Sequence, residues 1–182
     1  MVYVHLAKGY EEIEALTVVD ILRRGGVDAK LVSIEEKLEV QGAHGINVSA
    51  DITFEQADYS ECSMIVLPGG MPGAANLENH EKLMEHICQM AEGDGMIGAI
   101  CASPAIVLAP HGILKGRRAT VYPGMESAIE KGGGIYVSDG VVRDGNIITG
   151  KGPAFAAEFA VAILEAIAGH DTAADVADGF LI

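Results

Sequence analysis

The chain has 182 residues, 49% of them hydrophobic, which fits one domain (residues 1–182) able to bury a core. A formal net charge of −14 repels phosphate backbones and argues against a nucleic-acid partner. No apolar run approaches the roughly 18 residues of a spanning helix, so no membrane partner is expected, and "MVYVHLAKGYEE" shows no basic, apolar-core or cleavage pattern of a leader, so a cytoplasmic location is expected.

In chain order, "VYVHLA", "EEIEALTVVDILRR", "VDAKLVSI", "SMIVLPGG", "EKLMEHICQMAEG", "MIGAICA", "RRATVYPG" and "PAFAAEFAVAILEAIAG" alternate β-rich runs with helical patterns. That alternation predicts βαβ units in a mostly parallel α/β sheet with helices on both faces. "MIVL" and "MIGAI" are apolar without interruption, as strands covered on both sides should be. In the first helix Ile13, Ala15, Leu16, Val18, Val19, Ile21 and Leu22 spread around most of the circumference. The sheet covers one side, and a second subunit is the expected cover for the other, a homodimer through the first helix. "LEVQGAHGINVSADITF" reads as short strands around Gly42 and Gly45, and "GGIYVSDGVVRDGNIITG" carries two Asp-Gly hairpin signals. Both are expected to add antiparallel strands to the sheet. The basic cluster "ILKGRR" reads as a turn.

The three cysteines, Cys62, Cys88 and Cys101, show no C-x-x-C spacing, so reduced thiols are expected. Cys88, on an amphipathic helix, and Cys62, before a strand, read as packing residues, as do Met84 and Met90. His5, His80, His86, His111 and His170 lack metal-ligand spacing and read as structural or solvated. Cys101 could also be core filling, yet it sits between "MIGAI" and a helix beginning near Ser103-Pro104. Ligands of open parallel sheets bind at such turns, and a thiol at a helix N-terminus is pulled toward roughly 3.5–7.5. The glycine-rich "LPGGMPGAANL" can bring a Gly70 N–H beside that of Ala102, forming an oxyanion hole for an intermediate on Cys101. In "KGYEEIEA", Glu11 and Glu12 read as partners of the helix dipole, whereas Glu14 can reach the same sheet edge and hold a proton next to the thiolate.

"AKGYEEIEA", "IVLPGGMPGAANL", "GAICASP" and "GKGPAFAAEFA", in this order, resemble the ThiJ/PfpI family over nearly the whole chain. The resemblance implies a flavodoxin-like three-layer sandwich with an added β-hairpin, usually dimeric and related to class I glutamine amidotransferase domains. It also implies that Cys101 is the reactive cysteine, Glu14 the protonated glutamate, Gly70 and Ala102 the oxyanion amides, and Arg24 an arginine of the dimer-proximal helix. Gly69, Ser103, His44 and Tyr122 are the expected substrate-binding residues around them. Family members proposed as proteases carry histidine directly after the cysteine, where this chain has Ala102. Closer relatives often place histidine before the proline of the next strand, where "TVYPG" has Tyr122, and a phenol is no base near neutral pH. His44 falls where relatives commonly have an arginine reaching the partner's site, and is expected to enter the pocket across a dimer.

The implied activity is a cofactor-independent enzyme acting on a small reactive carbonyl, glyoxalase-like or deglycase-like, with no metal. The alternative is an oxidation sensor or stress-linked chaperone in which Cys101 becomes a sulfinate. Peptidase and glutaminase chemistry are disfavoured because no suitable histidine is evident.

Overall fold

A computed structural model describes all of Met1–Ile182. The chain runs β1 (Val2–Leu6), α1 (Glu12–Arg24), β2 (Ala29–Ser33), β3 (Glu39–Gln41), β4 (Asn47–Ser49), β5 (Ile52–Thr53) and β6 (Met64–Leu67). It continues through α2 (Gly73–Glu78), α3 (Glu81–Glu92), β7 (Met96–Ile100), β8 (Arg118–Ala119) and α4 (Glu126–Lys131). The last elements are β9 (Ile135–Tyr136), β10 (Val141–Asp144), β11 (Ile147–Gly150), α5 (Ala156–Ala168) and α6 (His170–Phe180). Seven strands form one sheet in the order β10-β11-β7-β6-β1-β2-β5. Every pairing is parallel except β10 with β11, so the expected flavodoxin-like sandwich with an added hairpin is present.

Strand alternation sends Val2, Val4, Leu6, Met64 and Val66 into one core with α1 and α5, and Tyr3, Ala7, Ile65, Leu67 and Ile97 into a second core with α3. Both faces are therefore dry, which is why these strands read as continuous apolar runs. Gly98 is needed for the first of these layers: a Cβ there would lie 2.9 Å from Met64 Cε and 3.1 Å from the Phe159 ring of α5.

Helix α1 ends with Arg23 and Arg24, whose charges complement the carboxyl end of the dipole. Its second apolar side packs on α5 of the same chain, so a partner is not what covers most of it. Ile13 and Leu16 stay exposed, at 54% and 37%.

One expected sheet addition is corrected, and the other holds at one of its two Asp-Gly pairs. β3 and β4 pair only with each other, off the main sheet, and β5 joins the sheet in parallel. Asp144-Gly145 makes the β10–β11 hairpin, with Gly145 at φ +62°. Asp139-Gly140 makes none: Gly140 accepts the Lys151 N–H and lies against the Phe155 ring, where a side chain would collide.

Candidate active site

Cys101 follows β7 directly and takes φ +64°, a left-handed conformation that costs a non-glycine residue energy and marks a constrained turn. Two backbone hydrogen bonds fix it: its N–H donates to Gly150 O (2.9 Å), and its carbonyl accepts from Tyr122 N–H (2.9 Å). The chain beyond it forms a π-helical turn, Pro104–Leu108, in place of the expected α-helix. Ala109 N–H donates to Pro104 O, and Pro110 has no N–H to extend an α-helical ladder.

The side chain of Cys101 is 8% exposed and lies in the wall of a cavity of about 640 Å³ at the carboxyl ends of the strands. Ala102, Gly70, His44 and Tyr122 line the same cavity, as do Glu11 and Glu12. The N–H groups of Gly70 and Ala102 lie near the thiol and favour its anion. Gly70 has φ +85° and sits against Glu11 N–H, where no side chain fits.

Glu14 lies behind Cys101, fully buried. Its Oε2 accepts the Gly69 N–H at 2.7 Å, while Oε1 has no partner among the protein's other donors. Burial holds the Glu14 carboxyl up to about 7. Burial first, and then the Glu14 carboxylate, push the Cys101 thiol up to about 12. The expected lowering of this thiol by a helix N-terminus is therefore corrected: five π-helical residues supply little dipole, and the Gly70 and Ala102 N–H groups alone do not outweigh desolvation. Two adjacent buried anions exclude each other, so Glu14 takes the pair's one negative charge as pH rises through about 7, while Cys101 keeps its proton.

Gly69 and Ser103 are supports rather than substrate contacts. Gly69 spends its N–H on Glu14, and a Cβ there would lie 2.6 Å from that of Cys101 and 2.9 Å from Glu14 Oε2. Ser103 is fully buried, and its hydroxyl donates to Pro68 O at 2.6 Å, tying the cysteine turn to the glycine loop. Tyr122 is 47% exposed at the cavity's edge. Arg24 is remote from the cavity lining; it pairs with Asp20 (3.0 Å) and lies over the Phe180 ring.

His44 reaches the cavity of its own chain and needs no partner to bring it there. Its Nδ1 is 2.9 Å from Glu12 Oε2 and 3.6 Å from Glu11 Oε2. Glu12 is not helix decoration: at 4% exposed, its Oε1 accepts the N–H groups of His44 (2.9 Å) and Ile46 (3.5 Å). The donor atoms of Glu11, Glu12 and His44 lie within 4.8 Å of one another, but those of Glu12 are already engaged by the loop. The cluster is complete as hydrogen bonds and carries no metal assignment. Nothing local in the sequence links position 12 to position 44; two glycines flanking a lone histidine are the one available signal.

The other histidines have structural or surface roles. His5 Nε2 meets Tyr59 OH at 2.6 Å, His80 caps α3 through Leu83 N–H, His86 stacks on Tyr59, and His111 and His170 face Glu78 and Glu165. Cys62 and Cys88 are half-buried, with thiols raised by burial, in Cys62 to about 11.

Residues 1–166 match the DJ-1/PfpI family. Among curated proteins, DJ-1 homolog B of Arabidopsis thaliana is 36% identical over 181 residues, covering 100% of this chain and 41% of that protein. The chain likewise spans 46% of the Arabidopsis homolog A. Protein dj-1beta of Drosophila melanogaster is 35% identical, with 97% of this chain and 94% of that one aligned. Its crystal structure superposes with a TM-score of 0.94 over 100% of this chain and 97% of that one, at 35% identity. Oxidised Toxoplasma gondii DJ-1 superposes with a TM-score of 0.93 over 99% and 97%, at 32% identity. With motifs, topology and whole-domain similarity in agreement, this chain belongs to the DJ-1/PfpI family.

Proposed function

We propose that the protein is a cofactor-independent enzyme that converts small reactive carbonyls, glyoxalase-like or deglycase-like, through Cys101 and Glu14. The observation that carries this reading is a strained cysteine facing a cavity, with the Gly70 and Ala102 N–H groups near its sulfur and a buried carboxyl behind it. With methylglyoxal, the sulfur bonds to the aldehyde carbon and the carbonyl oxygen takes a proton, giving a hemithioacetal. Gly70 and Ala102 hold the oxyanion as it forms. Glu14 then removes the proton on that carbon and returns it to the neighbouring carbonyl carbon, while the hydroxyl proton passes to that carbonyl's oxygen. The product is a lactoyl thioester, and water cleaves its C–S bond to release lactate and the thiol. This is an internal redox rearrangement followed by hydrolysis, so no outside oxidant or reductant enters. The cavity lining holds no lysine or arginine, which suits an uncharged substrate.

Cys101→Ser should abolish lactate formation from methylglyoxal. A surviving rate in that variant would exclude the mechanism.

A second reading is favoured by the similarity to an oxidised Toxoplasma gondii DJ-1 and by the buried Glu14 carboxyl near Cys101, whose Oε1 has no partner. In it, two peroxide molecules are reduced to water while the Cys101 thiolate gains two oxygens as a sulfinate. Mild peroxide would then add that mass at Cys101 alone, and turnover of methylglyoxal would be absent. In either reading a homodimer through α1 is the proposed assembly, because Ile13 and Leu16 remain exposed. Sedimentation as a monomer across the micromolar range would remove it.

A further inference from the structure

Resting on the carbonyl reading, we propose that His44 is the general base that activates water against the Cys101 thioester, with Glu12 as its positioning residue. Thioester hydrolysis needs a base free at that stage of the cycle. Glu14 is enclosed behind the sulfur with Oε2 tied to Gly69 N–H, and it already serves the carbon-to-carbon proton transfer. Tyr122 is a phenol, and Cys101 is acylated. His44 is the one imidazole lining the cavity, and its Nε2 has no partner in the chain.

Its orientation is preset. Glu12 Oε2 holds Nδ1, and Oε1 holds the His44 and Ile46 N–H groups. Gly42 N–H donates to Ile46 O (2.9 Å) and Ala43 N–H to Tyr10 O (2.8 Å), closing the loop around the carboxylate. Gly42 itself sits so close to Glu12 that a Cβ would collide with it. An Nδ1–H donating to a carboxylate leaves Nε2 as the accepting nitrogen, the arrangement of an acid–histidine pair in acyl transfer. In the hydrolytic step Nε2 takes a proton from water, the water oxygen bonds to the acyl carbon, and the C–S bond breaks. The proton on the imidazole then passes to the departing sulfur. The charged or titratable groups facing His44 are Glu11 and Glu12 at the start of α1, with Cys101 and Tyr122 on the other walls.

The test is intact-mass analysis and steady-state turnover with methylglyoxal for the wild-type protein, His44→Gln and Glu12→Gln. His44 is exposed, so its replacement leaves the fold intact. In His44→Gln, lactate formation should fall by roughly 10²-fold or more, while an adduct accumulates on Cys101 that hydroxylamine converts to a hydroxamate, marking it as thioester rather than hemithioacetal. Glu12→Gln keeps acceptors for the loop but reverses the tautomer; it should accumulate the same thioester and lose the acidic limb of the pH–rate profile. The proposal is overturned if wild-type protein makes lactate and His44→Gln keeps pace with it, or loses thioester and turnover together; the carbonyl reading then still stands. If wild-type protein forms neither thioester nor lactate, the carbonyl reading itself has failed.

Discussion

The cavity around Cys101 and the ring cluster around His5 lie at different places on the same sheet, and each encloses an ionisable side chain that is fully buried. Around His5 the groups close on one another: Tyr59 OH takes Nε2 at 2.6 Å, and Tyr59 stacks on His86 at 3.9 Å. Around Cys101 they converge on open space. Burial favours the neutral form in both, but with opposite consequences: it lowers His5 to about 3 and raises Glu14 to about 7. A perturbed group by itself does not mark a site. What separates the two regions is a nucleophile on a strained turn with unspent donors facing a cavity.

The largest expected effect sharpens this difference. With Glu14 taking the pair's first charge, the Cys101 thiol, pushed up to about 12, should be alkylated by iodoacetamide only slowly below the alkaline range. Cys62 and Cys88, raised by burial, should remain slow across the same range. Glu14→Gln removes the carboxylate that helps raise the thiol and leaves desolvation acting on it. The Cys101 midpoint should therefore fall toward the ordinary thiol range, raising the alkylation rate near neutral pH by roughly tenfold or more. An alkylation rate near neutral pH that Glu14→Gln leaves unchanged or lowers would place the pair's charge on the sulfur instead and break the contrast.

A smaller effect is expected in the ring cluster, as a change in stability. His5 has a folded value below its unfolded one, so the unfolded chain binds the extra proton between about 6.5 and about 3. Stability is therefore intact above that window and lost as pH falls through it. Glu14 runs the other way: raised above its unfolded value, it favours the folded state below 4.5 and loses that contribution as pH rises to about 7. Urea denaturation at pH 7 and pH 5 should show wild-type protein losing about 2 kcal/mol more than His5→Gln. Equal losses in the two proteins would show that His5 is not held neutral by the fold.

How far these regions could be read from sequence follows the range of the interactions. The parallel sheet, α1, α3 and α5 were legible because "MIVL", "MIGAI" and the helical apolar spacing are local patterns. Cys101, Gly70, Ala102 and Glu14 were legible through the loop types around them and the family motifs. Helix α6 was not, since its run "HDTAADVADGF" is polar and small and buries only Ala173. The separate β3–β4 ladder was misplaced because its short strands carry no signal for which edge they avoid. Glu12 was misread because helix-dipole decoration explains an acid there just as well, and its contacts with His44 and Ile46 span 32 and 34 positions. The value of the Cys101 thiol was misread because a helix start is visible in sequence, whereas the burial that outweighs it is not.

The smallest expected effect tests the cavity's charge. Its lining carries Glu11 and Glu12 with no lysine or arginine, and His44 as the single imidazole. Lactate and lactamide have nearly the same shape and differ by one charge, so the cavity should bind the amide more tightly as a competitive inhibitor. Charges a few ångströms apart near a protein surface interact by about 1–4 kcal/mol before screening, and partial cancellation by His44 brings the expected preference to roughly tenfold or less. The preference should shrink with added salt and as His44 takes up a proton, because the Glu12 hydrogen bond favours the imidazolium. Lactate binding as well as lactamide at low salt and alkaline pH would mean that Glu11 and Glu12 are electrostatically silent toward the cavity. Such a result would leave His44 paired to Glu12 but remove the acidic field that favours an uncharged substrate and the departure of an anionic product.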